Sequence, residues 1–234
     1  MPHLRREDEV FVLDLGEPGQ RDTENLATTA WLAALHELLD EVEASTGPAA
    51  LVTTGTGKFY SNGLDRERFG DPAEEFAAYL ASYQRLLARF CVLPMPSLAA
   101  LQGHAFAGGA VLALAHDRRV MRADRGWFCL PEIDLGIPFT PGMAALIQTR
   151  LPAPAAFEAM TTGRRYTGPE AVAAGIAETT AAESELLPLA VELVRPLAGK
   201  RGPVLGLMKQ TLFETAVREL DSESGTNKFL THRQ

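Results

Sequence analysis

The chain has 234 residues, 46% hydrophobic and 22% charged, with a formal net charge of −8. That suffices for one substantial core, with room for a helical appendage. The acidic balance removes the electrostatic reason to expect nucleic acid or an anionic membrane as partner, although a local patch can still hold an anionic ligand. Two cysteines, Cys91 and Cys129, match no metal spacing and no disulfide framework. They read as small buried hydrophobes, and a reducing, cytoplasmic setting is expected.

In chain order, the first residues carry no continuous apolar segment of the signal-peptide kind. Val10–Leu15 reads as a buried strand. Thr28–Ala44 places Leu32, Leu35, Leu38, Leu39 and Val42 near one helical face. Ala50–Gly55 reads as a second strand ending in a glycine turn, and Phe76–Phe90 as a helix. Leu93–Asp117 has no formal charge until its last residue. A membrane helix there would be broken by Pro94, Pro96 and the glycines at 103, 108 and 109, so no span is expected. Instead, Ser97–Leu101 reads as a buried strand, Gly103–Gly109 as a glycine loop, and the segment from Gly108 onward as a buried helix.

Arg119–Arg122 and Trp127–Leu130 read as short strands. Pro141–Arg150, Ala153–Met160 and Pro169–Ala174 read as helices, the last with proline in its first turn. Glu183–Leu197 and Pro203–Leu220 complete a helical last third. Strands followed by helices indicate an α/β fold with a helical C-terminal part. The expected division is a core over 1–178 and a helical, oligomer-forming region over 179–234.

Several look-alikes fail on spacing. Thr54–Lys58 (TGTGK) suggests a phosphate loop, but the required slots hold Val52 and Phe59. GHAFAGG lacks the dinucleotide fingerprint, and Ser61 in YSNG lacks the nucleophile elbow. His3, His36, His104, His116 and His232 are scattered without ligand spacing. His104, beside the glycine loop, reads as packed and hydrogen-bonded.

Two strand-to-turn junctions remain, Lys58–Asp65 (KFYSNGLD) and Gly103–Gly109 (GHAFAGG). Glycine there lets backbone approach a ligand, and first-turn N–H groups have no helical acceptor. N–H groups of Asn62 and Gly108 aimed at one oxygen would form an oxyanion hole; alternatively both turns merely reverse the chain. Glu132, in CLPEIDLGIPF, is either an ion-pair partner or a base tuned by apolar surroundings. Asp134 reads as a turn or capping residue.

ALVTTGTGKFYSNGLD, AALQGHAFAGGAVLALAHDRRVM, LPEIDLGIPF and TTGRRYTGPEAVAAGIAE, in that order over Val10 to Glu178, resemble the enoyl-CoA hydratase/isomerase (crotonase) superfamily. The resemblance implies a spiral of ββα units, assembly as a homotrimer or dimer of trimers, and an acyl-CoA thioester substrate with no metal or redox cofactor. It implies an oxyanion hole mapping onto Asn62 and Gly108, and substrate contacts along Ser61, Asn62, Gly63, Leu64 and Asp65. Family hydratases use two glutamates. The slot of the first is Val111 here, expected to line the pocket with Phe106 and Phe139, and the second is present as Glu132. One carboxylate with two donors implies a Δ3,Δ2-enoyl-CoA isomerase. Hydration, decarboxylation or thioester hydrolysis on the same scaffold, a non-catalytic CoA-ester binder, and a serine hydrolase using Ser61 and His104 are the alternatives. Lys209 is a candidate for the CoA phosphates, against the reading of a solvated helix face.

Overall fold

The computed structural model describes residues 1–17 and 19–222; the last part of the expected 179–234 region, His232 included, lies outside the described residues. The chain begins with a hairpin, β1 (His3–Glu7) and β2 (Val10–Asp14), turned at Asp8 with φ 56°. Helix α1 (Thr29–Ala44) follows, capped by the Thr28 hydroxyl, which accepts the Trp31 N–H at 3.1 Å.

Next come three strand–strand–helix units. The first is β3 (Ala50–Thr54), β4 (Phe59–Ser61) and α2 (Ala73–Val92). The second is β5 (Ser97–Leu101), β6 (His104–Phe106) and α3 (Gly108–Leu114). The third is β7 (Arg118–Arg122), β8 (Phe128–Cys129) and the one-turn helix α4 (Glu132–Leu135). The first strand of each unit joins a six-stranded sheet of order β1-β2-β3-β5-β7-β10, where β10 is Thr179–Ala181. The second strand joins a four-stranded sheet of order β4-β6-β8-β9, where β9 is Arg165–Tyr166. This is the crotonase-like spiral of ββα units, in an α/β fold.

Helices α5 (Pro141–Arg150) and α6 (Ala153–Thr162), strand β9 (Arg165–Tyr166), α7 (Gly168–Ala173), strand β10 (Thr179–Ala181), α8 (Glu183–Val194), α9 (Pro203–Leu212) and α10 (Glu214–Leu220) complete the described chain. β10 pairs in parallel with β7. The core sheet therefore runs past residue 178, where the sequence places the division.

The large sheet has two cores because strand side chains alternate. Phe11, Leu13, Leu51, Ala99 and Leu101 point into the main cluster beneath α1, α2 and α3. Val10, Val12, Val52, Leu98 and Val120 point the other way, against Leu186, Ala190, Val191 and Val194 of α8. α8 is thus a covering layer of the core itself.

The helix expected over Pro203–Leu220 is broken at Phe213, which has φ −107° and ψ 12°. No glycine or proline causes this. Tertiary packing does: α10 lies on α5 so closely that a side chain on Gly142 would meet the Leu220 backbone N at 2.6 Å. Phe213 turns inward while Leu212 stays 70% exposed.

Lys209 on α9 is buried. Its ammonium donates to the Met95 carbonyl and to Asp117 Oδ2, both at 2.7 Å. It is neither a solvated residue nor a phosphate-binding cation; it fastens α9 to the core. Both cysteines are free and buried, and burial pushes the thiols up to about 12 for Cys91 and about 11 for Cys129.

Candidate active site

The two glycine turns meet. A side chain on Gly63, which has φ +83°, would stand 2.7 Å from the backbone N of Gly108. A side chain on Gly109 would overlap the Ser61 carbonyl. Only glycine lets these backbones touch. Between the turns and α4 lies a cavity of about 510 Å³. Its walls include Leu64, Phe69, Phe106, Gly108, Glu132 and Phe139, with Asn62, Arg66 and Arg165 also contributing.

Glu132 stands in the first turn of α4, held by Pro131 before it and Gly136, with φ +67°, after it. Its side chain is buried, and Oε2 has no hydrogen-bond partner. Burial raises its carboxyl from 4.5 to about 7, against a smaller opposing effect of its own backbone. Among the described residues no other carboxylate lines the cavity. A buried carboxylate without a cation or a full set of donors is costly to the fold, and its preserved basicity is what it offers chemistry.

The expected donor pair needs correction at one position. The Asn62 N–H already donates to the Glu24 carbonyl at 2.9 Å, and its side-chain amide donates to Glu24 Oε2 at 2.8 Å. Asn62 lines the cavity, but its backbone donor is spent. One residue further on, the Leu64 N–H takes no part in the Ala27–Leu64 bridge and has no backbone acceptor among the described residues. The Gly108 N–H is likewise without one, as the first residue of α3. Leu64 and Gly108 are therefore the available pair. The signal in the sequence was Gly63: its left-handed conformation reverses the chain there, so the next residue offers the free N–H.

The turn before Gly108 is strained. Ala107 has φ 49° and ψ −125°, a region that residues with a side chain rarely occupy. It is held by its N–H to the Cys129 carbonyl at 3.0 Å and by its carbonyl, which accepts from Ala110 and Val111. Such strain persists only where the surroundings impose it.

The other expected site residues separate. Ser61 is buried and structural: its hydroxyl donates to the Asn25 carbonyl at 2.8 Å and accepts the Gly63 N–H at 3.1 Å. It makes no bond to His104, whose Nδ1 accepts the Trp127 N–H at 3.2 Å and whose ring stacks on Trp127. Asp65 caps a short 3-10 helix through the Glu67 N–H and is not on the cavity wall. Val111 is fully buried in the main core and is not a wall residue either, because α3 turns that face inward. Phe106 and Phe139 line the cavity as expected, and Asp134 lies in the first turn of α4. Residues the sequence did not single out are Arg165, on the rim, and Tyr79 and Tyr83 of α2, whose helical spacing resembles ordinary core.

Among the described residues no group of three or more His, Cys, Asp or Glu is placed to hold a metal, and no helix is long and apolar enough to cross a membrane.

Comparison with known proteins agrees with this architecture. Residues 6–233 match the model of the enoyl-CoA hydratase/isomerase family. The chain is 34% identical to enoyl-CoA delta isomerase 3 of Arabidopsis thaliana, with 98% of each chain covered. It is 29% identical to carnitinyl-CoA dehydratase of Salmonella enteritidis, covering 95% of this chain and 83% of that one. The solved human mitochondrial delta3-delta2-enoyl-CoA isomerase superposes with a TM-score of 0.90 at 20% identity, over 100% of this chain and 92% of the other. With the spiral, the paired glycine turns and a family match over nearly its whole length, the chain belongs to the enoyl-CoA hydratase/isomerase family.

Proposed function

We propose that the protein moves the double bond of a 3-enoyl-CoA to the 2-enoyl position. The observation that carries this reading is Glu132, among the described residues the only carboxylate on the cavity wall, buried and with one oxygen unpartnered. The relatives named as enoyl-CoA delta isomerases support the same reaction.

In this reading the thioester oxygen lies between the N–H groups of Leu64 and Gly108. Glu132, ionised, takes a proton from C2: the C2–H bond breaks, a carboxyl O–H forms, and the electron pair spreads into the thioester as a dienolate. Glu132 then gives the same proton to C4. A C4–H bond forms, the double bond settles between C2 and C3, and the carboxylate is regenerated. A positioned base contributes about 10²–10⁴ in rate. Each oxyanion donor contributes roughly 2.7–4 kcal/mol. A base near 7 suits this cycle, since the group must both take and return the proton at neutral pH.

Hydration needs a second carboxylate to share the proton work on water. The corresponding position is Val111, apolar and sealed in the core. That favours proton transfer over water addition, and over the dehydration named for the Salmonella relative.

Assembly as a homotrimer or dimer of trimers is part of this reading. The exposed apolar residues Val204, Leu207, Met208 and Leu212 of α9 support a protein contact in the C-terminal region. Light scattering at defined concentrations tests it, with a monomer as the contrary result. A cytoplasmic site of action is also part of the reading and is supported by the two free, buried thiols.

The test of the reaction is incubation with 3-enoyl-CoA and 2-enoyl-CoA esters of several lengths, following both conjugation and hydration. Conversion of the 3-enoyl ester without hydroxyacyl product is expected. Hydration faster than conjugation overturns the proposal.

A further inference from the structure

Helix α2 carries two tyrosines one turn apart, Tyr79 and Tyr83, both buried. Residues four apart lie on one helix face. The Tyr79 hydroxyl accepts the N–H of Asp65 at 2.8 Å. The Tyr83 hydroxyl donates to the carbonyl of Gly108. Asp65 directly follows Leu64, so each tyrosine grips the chain immediately after one of the two free N–H groups. A side chain on Gly108 would meet the Tyr83 hydroxyl at 3.0 Å and Gly63 Cα at 3.3 Å, so the tyrosine and the glycine of the first turn both lie against Gly108.

The two turns belong to different ββα units and come together with no covalent link nearby. The bridge Ala27–Leu64 secures one turn, and the Ala107 N–H to Cys129 secures the other. The paired strands β4 and β6 bring the turns side by side, and beyond the strands the tyrosine pair ties both turns to one helix. We infer that Tyr79 and Tyr83 are positioning residues that set the spacing and direction of the Leu64 and Gly108 N–H groups, with α2 as the shared ruler. The inference rests on the donor pair described under the proposed function, but not on which acyl-CoA reaction follows.

A hole made of two turns stabilises an enolate only if both donors reach one oxygen. Displacing reacting groups by about 1 Å can cost on the order of 10² in rate. Tyr-to-Phe substitution removes the hydroxyl and keeps the ring, so packing is preserved while the grip is lost.

The experiment uses Tyr79→Phe, Tyr83→Phe and, as a control, Tyr60→Phe. Tyr60 is equally buried, and its hydroxyl bonds the Thr53 side-chain hydroxyl of β3 at 2.7 Å rather than the backbone of either turn. The primary readout is the infrared carbonyl stretch of a bound, ¹³C-labelled 2-enoyl-CoA thioester. Hydrogen bonds from the hole lower that frequency, whatever the base does. The wild type and Tyr60→Phe should show the full lowering, and each of the other two variants should forfeit a large part of it. In turnover of a 3-enoyl-CoA, kcat should fall about 10–100-fold with KM within about threefold. Melting curves establish folding, and Tyr79→Phe carries the test alone if Tyr83→Phe does not fold.

An unchanged carbonyl frequency in the folded variants overturns the inference, even where the wild type isomerises. A wild type that lowers the frequency without isomerising, in variants that lose the lowering, leaves the inference standing and removes the isomerase assignment.

Discussion

Asp117, at the end of α3, and Glu132, at the start of α4, are both carboxylates next to a buried helix. Asp117 Oδ2 accepts the Ser97 N–H at 2.8 Å and the Lys209 ammonium at 2.7 Å, and the Asp117 N–H returns to the Ser97 hydroxyl at 3.1 Å. Among the described residues no cation pairs with Glu132, and its Oε2 has no partner. The first arrangement neutralises a charge to hold α9 on the core. The second leaves a charge expensive, so that its proton affinity stays high. A half-buried carboxylate paired with a buried cation is structure; a buried one with an unpartnered oxygen at a cavity is available for chemistry.

Substitution at the unpartnered member should have the larger functional effect. Glu132→Gln is expected to fold and to lower 3-enoyl-CoA turnover by about 10²–10⁴-fold, as for loss of a positioned base. Steady-state kinetics at matched folded concentration checks this, and near-normal turnover would erase the contrast with Asp117. Next in size is Gly63→Ala, which combines φ +83° with a contact at 2.7 Å to the Gly108 N. It should spread the two donors and cost about 10² in rate, with thioester binding weakened less; a variant with unaltered kcat would disconnect the turns from catalysis.

Lys209→Met sharpens the comparison from the other side. It leaves Asp117 without its cation and should lower unfolding free energy by about 2–4 kcal/mol in denaturant titrations. The rate per folded molecule should be unchanged. A selective rise in KM for CoA esters would return Lys209 to the binding site.

The smallest effect is a pH dependence. The folded protein holds the Glu132 proton up to about 7, whereas an unfolded carboxyl releases it near 4.5. The stability this group contributes is full below 4.5 and is lost as pH rises through about 7. Glu132→Gln carries no such charge. Its stability relative to wild type should improve by roughly 1–3 kcal/mol between pH 4 and pH 8, by denaturation at each pH. Catalysis runs the opposite way, with kcat/KM rising through the same range as the base ionises.

The α/β class was legible because the long elements obey one period each, whereas the spiral of ββα units was implied only by the resemblance of the four sequence blocks to the family. Ser97–Leu101 and Pro141–Arg150 come out with the expected bounds, and Thr28–Ala44 differs only by its cap. The small sheet was not legible as strands at β4, β6 and β9, which have three residues or fewer and are fixed by pairing partners distant in sequence. The hairpin strand β1 is polar and exists through its pairing with β2. At the site, Glu132, Gly63 and Gly108 stood out because an acid in an apolar run and paired glycines break the local pattern. Asn62 and Leu64 could not be told apart as donors, since only Glu24, reaching across from another segment, decides which N–H is already engaged. Val111 read as a wall residue from the family's glutamate slot, and α3, with seven residues all buried, has no polar face to reveal that its rotation turns Val111 inward. Lys209 looked like a surface cation because its partners, Met95 and Asp117, are remote in sequence.

The most direct test is a titration of Glu132 itself, by infrared difference spectra of wild type against Glu132→Gln across pH 3–9. The protonated carboxyl band should give way to the carboxylate band with a midpoint near 7, the value burial imposes. A midpoint at the ordinary 4.5 would mean a solvated or partnered carboxylate, and the lone buried base at the centre of this account would not exist.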